Sequence, residues 1–145
     1  MKIKRIGEFD DNPKNNPENI LTKKFTDYLL IIGKSSDVFD YFGVEELHGL
    51  ERAKCYDTPD DAYIAGLCNQ FPGNPEEQFL FINEIRIGRS YKDVLLIMHE
   101  AMHLSLEIHG HNLGEGDLEE EAITYGENVA LEICEYLKKL KILKI

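Results

Sequence analysis

The segment His99-Glu100-Ala101-Met102-His103 constrains this chain most, because it lies inside an apolar run that reads as a buried helix. Val94, Leu95, Leu96, Ile97, Met98, Ala101, Met102, Leu104, Leu106 and Ile108 surround it almost all the way round, and Ser90 with Asp93 three later resembles a capping box. Two histidines four apart on a helix project about 40° from each other, so both imidazoles can reach one ion at about 2.0–2.1 Å. Glu100, one position round from His99, is awkward as a ligand but suited to hold and deprotonate a metal-bound water. Inside a fold, His99, Glu100, His103, Ser105 and Glu107 would each need a partner, and one zinc ion per chain would satisfy the site. The plainer alternative is a core helix whose histidines make ordinary hydrogen bonds.

A catalytic zinc site takes three protein ligands and leaves one position open. The candidates downstream are His109, His111, Asp117 and the Glu119-Glu120-Glu121 run. The first glycine after the motif is Gly110, so helix propensity carries the chain through His109, which then points away from His99 and His103. His111 reads as a loop histidine or a substrate contact. The glutamate run opens a second helix, with Asp117 as N-cap and Glu120 completing a capping box. Its apolar stripe runs Ala122, Ile123, Gly126, Val129, Ala130, Ile133, Leu137 and Leu140; Glu119 falls within it, Glu120 at its edge and Glu121 outside. A carboxylate on a buried stripe needs a partner, which makes Glu119 the expected third ligand; the alternative is a first-turn acid favoured by the helix dipole.

His99-Glu100-Ala101-Met102-His103, followed by a glycine-bearing loop, Glu119-Glu120-Glu121-Ala122 and Tyr125-Gly126, resembles the gluzincins. Within them it is most similar to the small ImmA/IrrE-like and minigluzincin metallopeptidases, over roughly residues 78–140. The E-x-x-A segment is shorter evidence than the histidine motif, and Ile123 and Tyr125 replace the family's usual Asn and Phe. The resemblance implies a zincin-like α+β fold and zinc held by His99, His103 and Glu119. It also implies hydrolysis of a peptide or protein substrate with Glu100 as base. No oxyanion-stabilising residue is identifiable among Tyr91, His109, His111 and Tyr125.

Elsewhere the pattern is coarser. Residues 10–17 are polar and proline-punctuated and read as a loop, with Asn16-Pro17 suited to start a helix. Ile20, Leu21, Phe25, Tyr28, Leu29 and Ile32 recur at helical spacing before Gly33, predicting an N-terminal helix. Residues 38–50 suggest a short or broken helix capped near Ser36 or Asp37, with His48 at the surface. Three strands are expected, at 53–57, 62–68 and 79–87, the last lying along the cleft with a free edge for an extended peptide, or else only covering the zinc helix. Lys138 to Ile145 reads as a helix end stabilised by lysines.

The length of 145 residues fits a single domain spanning 1–145 with its own core. Against 27 Asp and Glu stand 16 Lys and Arg, a net charge of −11, which disfavours nucleic acid and favours basic or neutral substrates. Cys55, Cys68 and Cys134 form no C-x-x-C pair, as expected of reduced thiols in the cytoplasm. No secretory h-region and no stretch of membrane-spanning length is visible. The expectation is thus a zinc metallopeptidase domain; the alternative is a zinc-binding regulatory or interaction domain on the same scaffold without turnover.

Overall fold

The computed structural model describes residues 20–58, 61–87, 91–110 and 116–143, and the chain divides after Arg86 into two compact units. The loop expected at 1–17, the Asn16-Pro17 start, Ser90, His111, Lys144 and Ile145 lie outside the described residues. Among those described, the architecture is α+β, with three α-helices and a small mixed sheet.

The first unit opens on a hairpin of β1 (Leu21–Lys24) and β2 (Leu29–Gly33), where a helix was expected. The reason lies in the covering of β2. All five of its residues are buried, and a strand covered on both faces is a continuous apolar run that also satisfies a helical period. Thr26 and Asp27 are exposed at the tip, and the Phe25 N–H donates to the Tyr28 carbonyl at 2.9 Å.

Helix α1 (Ser35–Phe42) follows, starting a little earlier than expected. The Lys34 N–H donates to Asp37 Oδ2 at 2.8 Å, and Gly43 ends the helix at φ 67°, a left-handed conformation that favours glycine. The rest of the segment expected as broken helix forms a ribbon of β3 (Glu46–Leu47) and β4 (Leu50–Glu51). His48 is exposed, as expected, and its Nε2 lies 2.9 Å from the Gln70 carbonyl.

No strand forms at 53–57. Arg52–Lys54 is a 3-10 turn, and Asp57 makes only an isolated bridge to Ala62. Its carboxylate is taken up elsewhere: Oδ2 accepts from the Ser35 N–H at 3.0 Å, and Oδ1 from the Ser35 hydroxyl at 2.7 Å and Asn83 Nδ2 at 2.8 Å. The two remaining strands are displaced from their expected ranges, to β5 (Gly66–Phe71) and β6 (Asn74–Asn83), joined at Pro72-Gly73 with Gly73 at φ 78°. Residues Glu84–Arg86 form a 3-10 turn in place of the strand's expected end.

The sheet has four strands, not three, in the order β1-β2-β6-β5. Strand β6 pairs in parallel with β2 from Leu29↔Phe79 to Gly33↔Asn83, and antiparallel with β5. It is therefore internal. The free edge expected on residues 79–87 is absent, because both ladders of β6 are occupied there. Ile20, Leu29, Ile31, Val38, Phe39, Tyr41, Leu47, Ile64, Phe79 and Phe81 form one buried cluster in this unit.

The second unit holds α2 (Lys92–His109) and α3 (Asp117–Lys139). Gly116, at φ 56°, takes the cap position expected of Asp117, and its carbonyl accepts from the Glu120 N–H at 3.1 Å. The buried stripe of α3 is Ala122, Gly126, Val129, Ala130, Ile133 and Leu137; Ile123, expected on it, is exposed. Lys138 and Lys139 occupy its last turn, where the dipole favours them. Among the described residues no helix is long and apolar enough to cross a membrane.

Candidate metal centre

Helix α2 runs unbroken through the motif and on through His109 to Gly110, so the histidine pair sits on regular helix. His99 Nε2 and His103 Nε2 lie 3.2 Å apart, with the rings nearly perpendicular at 75°. Two tetrahedral donors, each about 2.0–2.1 Å from one ion, stand about 3.3 Å from each other, so the pair fits two positions on zinc. Without metal the same separation is a hydrogen bond between one protonated and one bare ring nitrogen.

Glu100 is turned inward, 5 % exposed, with Oε2 4.0 Å from His99 Nε2. Burial pushes its carboxyl up to about 7, since the charged form loses its hydration. The two histidines face the other way and are exposed. Helix α2 is thus not buried all round as expected: Leu95 and Ile108 are exposed too, and its buried face is Asp93, Ile97, Glu100, Ala101, Leu104 and Ser105. That removes one argument for a metal, because exposed His99, His103 and Glu107 need no interior partner. Ser105 has its own, the Ala122 carbonyl.

The Ser105–Ala122 bond also fixes the level of the second helix. Met102 lies against Gly126, so rising numbers on α2 meet falling numbers on α3 and the helices run antiparallel. Glu119, three residues before Ala122, is therefore about 4.5 Å beyond the level of Ser105, while His103 and His99 lie about 3 Å and about 9 Å the other way. Side chains tilt toward their own helix N-terminus, which moves the imidazoles and the Glu119 carboxylate further apart. Among the described residues no three His, Cys, Asp or Glu side chains come together as a metal-holding group. Glu119 is nevertheless the most covered of its run: it is half-buried, and Glu120 and Glu121 are exposed.

His109, expected as a helix-end residue, ends α2 with its ring centroid 4.8 Å from that of Tyr125. Tyr91 stands exposed at the start of the same helix. The helix-to-helix level was the missed feature. Its signal in the sequence is the small residues Ser105, Ala122 and Gly126, whose pairing single-helix periodicity does not encode.

Comparison of the chain with protein-family models, curated proteins and solved structures gives no match.

Proposed function

We propose that the chain is a zinc-dependent metallopeptidase on a zincin-like scaffold, with His99, His103 and Glu119 holding the metal and Glu100 moving the proton. The observation that carries this reading is the 3.2 Å separation of two Nε2 atoms beside a carboxyl pushed up to about 7. Zinc, when bound, supplies Lewis acidity to a scissile carbonyl and to water. His99 and His103 would hold it through bare Nε2 atoms, which leaves the proton of each neutral ring on Nδ1. Glu119, the most covered carboxylate of its run, would supply the anionic third donor of the proposed set. A carboxyl that titrates near neutrality both takes a proton and returns it. Peptide hydrolysis asks for both: one proton leaves the attacking water, and one reaches the departing amine.

The substrate of this reading is a peptide or protein, and the compartment is the cytoplasm, in keeping with Cys55, Cys68 and Cys134 forming no disulfide among the described residues. A second reading, a zinc-binding regulatory or interaction domain without turnover, is favoured by the burial of Glu100 while His99 and His103 stand exposed, which sets the proposed base on a different side of the helix from the pair. Metal analysis of protein purified without added zinc, followed by peptide-library cleavage with and without chelator, separates them. About one zinc per chain, with chelator-sensitive cleavage that Glu100→Gln abolishes, is the expected result. Zinc without cleavage selects the second reading, and no zinc removes both.

A further inference from the structure

Apart from Lys92 and Ile108, the exposed positions of α2 and its cap fall in one row. Tyr91, Leu95, His99, His103 and Glu107 follow one another at four-residue intervals, the spacing of one ridge on a helix surface, and all five are exposed. Tyr91 is 72 % and Leu95 60 % exposed, so the row is apolar at one end, imidazole in the middle and anionic at the other. Helix stability explains neither end. An uncovered Tyr–Leu pair gains nothing from burial, and Glu107, in the last turn, faces the negative end of the helix dipole.

Charge on the neighbouring helix has the same polarity. Because the helices are antiparallel, the first-turn acids Asp117, Glu119 and Glu120 of α3 stand toward the Glu107 end, and Lys138 and Lys139 toward the other.

We propose that this row reads an extended peptide substrate that carries a bulky apolar side chain on one side of the scissile bond and Lys or Arg on the other. The inference rests on the peptidase reading and deepens it. Leu95 and Glu107 each lie about 9 Å along the axis from the midpoint of the histidine pair, a span that an extended peptide covers in about three residues. The apolar side chain meets Tyr91 and Leu95, and the cation meets Glu107. An acidic residue in the cation's place is repelled by the carboxylates gathered at that end.

The test uses two fluorescein-labelled peptides, one with Leu and Lys about three positions either side of a central Ala-Ala, the other with that Lys replaced by Glu. Cleavage is followed with the wild-type chain and equilibrium binding with Glu100→Gln. The Lys peptide is preferred about fivefold or more at low salt, and less as salt rises. Glu107→Lys inverts the preference, and Leu95→Asp weakens both peptides together; circular dichroism checks that each of these surface variants is folded. A Lys-to-Glu ratio that Glu107→Lys leaves unchanged overturns the ridge, as does failure to bind either peptide. Binding with an inverted ratio in a chain that cleaves nothing keeps the ridge and removes the peptidase reading, whereas cleavage without the preference does the reverse.

Discussion

Glu100 combines near-complete burial with a carboxyl pushed up to about 7 by loss of solvent. Its folded pKa lies above its unfolded value, so the folded chain binds the proton more tightly, and stability falls as pH rises from about 4.5 through about 7. At about 1.4 kcal/mol per pKa unit, the metal-free chain loses up to about 3 kcal/mol across that window. Glu100→Gln, which stays neutral, should be more stable than wild type above pH 7 by roughly that amount and indistinguishable near pH 4; urea melts at both pH values in the presence of chelator measure the difference. His99→Ala and His103→Ala should each abolish the single zinc of the proposed site, and full occupancy of either variant would remove the site. Glu119→Ala should lower zinc affinity by more than about a hundredfold, whereas Glu120→Ala and Glu121→Ala leave it within a few-fold. Competition with a chromophoric chelator reads the contrast, and equal affinities across the three would end Glu119's part in the proposal. His99, Glu100 and His103 were readable as a set because one helix fixes their spacing. The distance of Glu119 was not readable, since it depends on which residues of two helices meet.

Helix α3 offers a test of that meeting point. Replacing a mid-helix glycine by alanine ordinarily gains about 1 kcal/mol, but a Cβ on Gly126 would stand 2.6 Å from Met102 Sδ and 2.9 Å from its Cε. Sδ and Cε are the flexible end of Met102 and can give way, so Gly126→Ala should keep only part of that gain, and in a Met102→Ala background the full gain should return; thermal melts of the four chains close the cycle. In the first unit, Asp57→Ala leaves the Ser35 N–H without its acceptor, while the Ser35 hydroxyl and Asn83 Nδ2 keep the Ile64 carbonyl, and should cost about 1–3 kcal/mol in denaturant titration. A loss below about 0.5 kcal/mol would mean that the network holds nothing in place. The elements differ in how far the sequence discloses them. Helix α3 was legible from its stripe and α2 from its apolar run, though not its exposed face, and α1 only as part of a segment expected to run on past Gly43. The β1–β2 hairpin was not, because Leu29-Leu30-Ile31-Ile32 is apolar at every position and carries no period to choose by. Nor was the internal place of β6, which is decided by a parallel partner far away in sequence.

Across the whole molecule the excess of acid dominates. With a net charge of −11, self-repulsion opposes the compact state, so added sodium chloride should raise the thermal midpoint between low and physiological ionic strength. A midpoint that falls with salt over that range would show that specific ion pairs such as Arg52–Asp40, at 2.8 Å, outweigh the general repulsion. The parallel pairing of β2 with β6 has a consequence for the order of assembly. Leu29 meets Phe79, so during synthesis the first hairpin emerges well before the strand that covers its inner edge. Until Phe79–Asn83 leaves the ribosome, Leu29–Ile32 presents open ladder groups and four large aliphatic side chains to its surroundings. The nascent chain is most prone to association in that interval, and fragments ending before Asn83 would carry the same unprotected strand into solution.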